Sequence, residues 1–120
     1  MKELECEVRE IPGGCGAAID LAGGIFASNM GELTEEIETL QNGRMKNIIL
    51  NLEKLDFISS SGIGLIVQKN EELRKAGKRL WVVAPNPDIG KIFEQFSLEK
   101  IVRILPDEQQ AIEEIKQASL

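Results

Sequence analysis

The residues of this chain with the most chemical potential are three consecutive serines, Ser59, Ser60 and Ser61, followed by Gly62. They stand between an apolar run, Ile48-Ile49-Leu50-Asn51-Leu52, that reads as a buried strand, and a segment with helical periodicity starting at Ile63. A hydroxyl at such a corner has two uses. One is structural, capping the helix by accepting a bond from a first-turn N–H. The other is to carry phosphate, because unpaired N–H groups and the positive dipole end at a helix start favour an anion. Capping accounts for one serine of the three and leaves a second role open for the others. The sequence has no histidine, which removes the Ser–His–Asp triad, imidazole bases and every His-containing zinc site. A serine hydroxyl without a base is a poor nucleophile. Chemistry at these serines is therefore expected to come from another protein, and the chain itself is not expected to be an enzyme.

The other reactive residues point the same way. Cys6 and Cys15 lack metal-ligand spacing; they could face each other across a hairpin, but in a reducing compartment they read as small apolar fillers. Gly13-Gly14-Cys15-Gly16 and Gly23-Gly24 have neither the spacing nor the flanking strand of a dinucleotide fingerprint, and no P-loop Lys-Ser/Thr follows them. Glu35, Glu36, Glu38, Glu71 and Glu72 read as solvated helix faces. No cofactor and no metal is expected. With 14 Lys and Arg against 20 Asp and Glu, the net charge of −6 argues against nucleic acid or an anionic membrane as partner. No apolar run approaches the ~20 residues that cross a bilayer. The opening Met1-Lys2-Glu3-Leu4-Glu5 lacks the apolar core of a signal peptide, so a cytoplasmic location is expected.

The elements that must position the serines follow from patterning. The length of 120 residues suits a single domain, residues 1–120. Leu4, Cys6 and Val8 alternate with charged residues as in a half-exposed strand, and the turn cluster 11–16 leads back into Ala17–Leu21 as a hairpin. A loop, Gly23–Ser28, precedes a helix whose Asn29 and Glu32 have capping-box spacing and whose face is Met30, Leu33, Ile37 and Leu40. After the strand Ile48–Leu52 and a loop Glu53–Ser61 comes a second helix, ending at Gly77. Leu80–Ala84 is a further strand. Pro85-Asn86-Pro87 breaks it, and Asp88 is the expected cap of a short helix burying Ile89, Ile92, Phe93 and Phe96. A strand Ile101–Leu105 and a terminal helix opened by Pro106 and Asp107 complete the chain. The expected class is α/β: a mixed sheet with an N-terminal antiparallel hairpin, then alternating β/α units and a C-terminal helix. The loops 23–28, 53–61 and 85–88 fall at the carboxyl ends of strands, where such sheets place their sites, and are expected to form one surface around the serines.

With these elements in place the chain resembles the STAS domains of bacterial anti-sigma factor antagonists over nearly its whole length. The resemblance rests on the strand order, on Leu21-Ala22-Gly23 before the first helix, and on Leu55-Asp56-Phe57-Ile58-Ser59-Ser60-Ser61-Gly62-Ile63-Gly64. It implies a phosphoacceptor at Ser60, modified by an anti-sigma factor that is also a serine kinase, with a phosphatase as a further protein partner. It also implies that the unphosphorylated form binds that kinase and frees the sigma factor. The implied partner surface comprises Gly23, Gly24, Phe26, Ser28, Asp56, Phe57, Ser59, Ser61 and Gly62, with Gly62 giving the partner room to approach. Two positions depart from the family pattern: Ser59 stands where an acid usually precedes the acceptor, and Phe26 replaces an acid after the loop glycine. Phe26 is left with two readings, an exposed anchor or a residue buried beneath the first helix. The alternative function is a constitutive STAS scaffold, or a transporter-associated module, without phosphoregulation.

Overall fold

A computed structural model describes residues 3–83 and 85–118. The elements are β1 (Glu5–Glu10), β2 (Ala17–Ile25), α1 (Met30–Gln41), β3 (Asn47–Ile58), α2 (Ser60–Lys75), β4 (Arg79–Val83), α3 (Pro87–Gln95), a single 3-10 turn (Leu98–Lys100), β5 (Arg103–Leu105) and α4 (Glu108–Ala118). The strands lie side by side in chain order. β1 runs antiparallel to β2 through the tight turn at 11–16, and β2 through β5 are parallel, as the single intervening helices require. Ala84, the expected last residue of the fourth strand, lies outside the described residues.

A sheet whose strand order advances in one direction puts like-handed crossovers on the same side. Accordingly α1, α2 and α3 share one core with one sheet face, built from Ile19, Leu21, Ile48, Leu50, Leu52 and Val82 together with Leu33, Ile37, Ile66, Leu73, Ile89 and Phe93. The opposite face carries Ala18, Ile49, Trp81 and Val83, which α4 covers with Ala111, Ile112 and Ile115. Alternate residues of β3 and β4 thus serve two cores. No helix among the described residues is long and apolar enough to cross a membrane.

Several local expectations are corrected. β3 runs on through 53–58, where a loop was expected, because its inward residues change spacing to Leu52, Leu55 and Ile58. Two register shifts against β2, between Asp20 and Ala22 and between Gly23 and Gly24, each place one extra residue on β3. Bulges of this kind break the two-residue period that marks a strand. β2 likewise extends through Gly23 and Gly24 to Ile25. Asn29 makes no capping bond to α1; its side chain turns back, accepting from Phe26 N–H at 2.8 Å and donating to Gly24 C=O at 2.9 Å. The cap of α3 is Asn86, which accepts from Ile89 N–H at 3.0 Å with Pro87 at the first helical position, so Asp88 falls inside the helix. β5 is shorter than expected. Ile101 is 51% exposed beside the 3-10 turn, and Phe96 is also largely exposed. Cys6 pairs across the sheet with Leu21 while Cys15 sits in the turn, and both are free thiols.

Candidate functional site

The serine corner is assembled by the ends of β2 and β3. Ile58 closes β3, and Ser59 N–H donates to Ile25 C=O at 2.9 Å, which joins the corner to the last residue of β2. The three serines divide the work. Ser59 is extended (φ −79, ψ 167) and its Oγ accepts from Gly62 N–H at 3.2 Å, the geometry of an N-cap. Ser60 is then the first helical residue, and both it and Ser61 are exposed. The first turn of α2 contains no acid, so its positive end is uncompensated from within. A phosphate on Ser60 would lie beside that helix end, which lowers the cost of its charge.

Gly62 has a different place from the one expected. It is buried, and a Cβ there would meet Ile58 Cγ1 at 2.7 Å and Ile25 Cγ2 at 2.9 Å. Its missing side chain therefore lets α2 close on the strands, not a partner on the corner. Gly23 and Gly24 are buried as well. Gly23 has φ +92, in the left-handed region, and a Cβ would sit 2.0 Å from Glu3 C=O. A Cβ on Gly24 would strike the Phe26 ring at 2.6 Å. These three glycines shape the rim from below; their own surface is not displayed.

Phe26 takes neither of its two readings cleanly. It is half-buried, stacked on Phe57 with ring centroids 5.2 Å apart and planes 24° off parallel, while Phe57 remains 43% exposed. The stack spans the ends of β2 and β3, the same ends that the Ser59–Ile25 bond joins. Ser28 and Asp56 are exposed on these two crests. The third crest is tied in by Asn86, whose Nδ2 donates to Leu55 C=O at 2.6 Å. The structure thus brings Phe26, Phe57, Ser59, Ser60 and Ser61 to one rim. Asn29 and Asn86 fix the flanking loops in roles the sequence did not assign them: Asn29 was expected to cap α1 and Asn86 only to help break the fourth strand, although the Asn-Pro pair at 86–87 was a readable cap signal.

Among the described residues no group of three or more His, Cys, Asp or Glu is placed to hold a metal ion. Burial, with Glu32 and Glu36 nearby, pushes the Cys6 thiol up to about 11, so it stays protonated and inert at neutral pH.

Known proteins resemble this chain over most of its length. The STAS domain family matches residues 6–111. An anti-sigma F factor antagonist of Paenibacillus polymyxa is 29% identical over 82 residues, 68% of this chain and 70% of that protein. The structure of the anti-sigma factor antagonist SpoIIAA in its unphosphorylated form superposes with a TM-score of 0.78 at 25% identity, covering 94% of this chain and 97% of the other. The Bacillus cell fate determinant SpoIIAA in its phosphorylated form gives a TM-score of 0.69 at 26% identity, covering 92% and 99%.

Proposed function

This chain belongs to the STAS domain family, and we propose on that footing that it is an anti-sigma factor antagonist switched by phosphorylation at Ser60. In this reading the unphosphorylated rim binds an anti-sigma factor that is also a serine kinase, freeing the sigma factor. Phosphorylation releases the partner, and a phosphatase restores the binding form. The observation that carries the proposal is the division between Ser59, committed to the helix cap, and Ser60, exposed on the first turn with a hydroxyl that makes no hydrogen bond among the described residues. A kinase has access to that hydroxyl without unfolding the domain. The phosphate would add about −1.5 to −2 charges at a hydroxyl that had been neutral in the bound form. A charge left imperfectly paired in an interface costs several kcal/mol, enough to end binding.

The test is incubation with the cognate kinase and ATP, peptide mass spectrometry, and a binding titration of Ser60→Asp. Phosphate on Ser60 and loss of binding by the variant are expected. Binding that survives in Ser60→Asp, with no phosphate on residues 59–61, would leave the second reading. That reading is a constitutive scaffold or transporter-associated module, and the Phe26–Phe57 stack favours it, because it puts an apolar surface where an acid was expected.

A further inference from the structure

The chain is acidic overall, yet its cations are unevenly placed. Arg44-Met45-Lys46 and Arg74-Lys75-Ala76-Gly77-Lys78-Arg79 contain six of the 14 Lys and Arg and no acid. Both stretches lead into the N-terminal ends of parallel strands, β3 and β4, the sheet edge opposite the serine corner. A backbone bond from Arg79 N–H to Lys46 C=O, 2.9 Å, holds them together. Beside this bond lies a cleft of about 150 Å³ lined by Asn70, Arg74, Lys78, Arg79, Ile101 and Arg103.

Three of these cations are held in place by neighbours. Glu71 grips Arg74 through two bonds, 3.1 and 2.7 Å, and Glu114 grips Arg103 through two, 3.0 and 2.6 Å. Lys78 Nζ donates to the carbonyls of Gln41 and Gly43 at the end of α1. Arg79 differs. Its guanidinium lies over the Trp81 ring, 4.3 Å from the centroid, and among the described residues its side-chain N–H groups make no hydrogen bond. A planar fork of donors is thus oriented by stacking, lies in the field of Glu114 and is bonded by no acceptor among the described residues. The negative C-terminal end of α2 accounts for Arg74 and Lys75. It does not account for Arg79 and Arg103, which stand on strands. The cleft retains four cations against two carboxylates.

We infer that this cleft binds a phosphate-sized oxyanion, either free phosphate or the phosphomonoester headgroup of a lipid. Size sets the class. A water occupies about 30 Å³ of liquid, so 150 Å³ holds a phosphate group with a water or two. Pockets that enclose drug-sized ligands run to roughly 300–1,000 Å³, so this cleft is sized for the oxyanion group alone. Arg79 is the group that reads the oxyanion's paired oxygens.

The experiment is a titration of the isotopically labelled chain with inorganic phosphate at constant ionic strength, followed by NMR. Saturable shifts are expected at the amides of Lys78, Arg79 and Arg103, with none from chloride. Arg79→Gln should weaken binding by about tenfold or more, the cost of one charge-assisted hydrogen bond, and Arg79→Lys by less. Co-sedimentation with phosphatidic acid vesicles but not phosphatidylcholine vesicles, reversed by phosphate, identifies the lipid source; saturable phosphate binding without sedimentation identifies the soluble one. Shifts that fail to saturate, that appear equally at Lys91 and Lys116, or that persist unchanged in a folded Arg79→Gln variant overturn the inference. Should that variant misfold, the map on the unaltered chain decides.

Discussion

At the scale of single residues, neighbouring serines of identical chemistry have been given unlike tasks by one turn of backbone. Ser59 faces inward far enough to satisfy Gly62 N–H, whereas Ser60 points to solvent one position later. Removing the first hydroxyl exposes an orphan donor, and removing the second costs the fold nothing comparable. Ser59→Ala should therefore lose about 0.5–2 kcal/mol in urea unfolding. Ser60→Ala should stay within about 0.5 kcal/mol of the parent. Equal losses from the two substitutions would contradict the assignment of the cap. The comparison also separates structural from regulatory effects at the corner, since only Ser60→Ala should block phosphorylation while leaving stability in place.

At the scale of elements, α1 and α2 are joined by a polar contact within their apolar one. Lys69 is 3% exposed, and its Nζ donates to Glu38 at 3.0 Å and Glu72 at 3.1 Å. Burial opposes its charge, but the hydrogen bonds to Glu38 and Glu72 outweigh burial and raise the Lys69 pKa on balance. Its contribution is present at neutral pH and is lost only as pH rises past the ordinary lysine value, about 10.4. The hydrogen bond from Lys69, supported by Gln41, holds Glu72 below the ordinary carboxylate value. The folded Glu72 thus binds a proton less readily than the unfolded one, so its contribution is full above about pH 4.3 and drains as pH falls through that value. Unfolding midpoints measured from pH 6 to pH 3 should fall for the parent and fall less steeply for Lys69→Met, where Glu72 has lost its partner. Glu71 and Glu114, held low by Arg74 and Arg103, titrate alike in both proteins and cancel from the difference. Parallel curves would show that the α1–α2 contact owes nothing to this pair.

At the scale of the whole molecule, a shared sheet makes the two cores one cooperative unit. Ile48, Leu50, Leu80 and Val82 point into the three-helix core, and their chain neighbours Ile49, Trp81 and Val83 point into the one under α4. Neither face can lose its strands without taking the other's. Trp81, the only tryptophan, is fully buried under α4 with its Nε1–H donating to Asn47 Oδ1 at 3.1 Å. Its fluorescence therefore reports the face remote from Ser60, while far-UV circular dichroism reports all the helices. The two urea transitions should coincide, as two-state unfolding requires. A fluorescence transition that precedes the other would show α4 detaching alone.

Much of this was legible in the residues. Elements with a clean pattern announced themselves: the 3.6-residue faces of α1 and α2, the largely apolar run that opens β3, the continuous one of β4, and the glycine-rich turn before β2. Their alternation dictated a largely parallel sheet, and the no-histidine composition with a serine triplet at a strand–helix junction located the rim. What chain order could not reveal is what depends on partners distant in sequence. The bulges that lengthen β3 arise from its register against β2. The capture of Leu55 by Asn86 and the stack of Phe26 on Phe57 both join segments whose approach local periodicity does not encode. The burial of Gly62 belongs with them, since only the packing of Ile25 and Ile58 beneath α2 determines whether a missing Cβ faces a partner or the core. Local patterning is written in nearest neighbours along the chain; close approach is determined where the strands and helices meet.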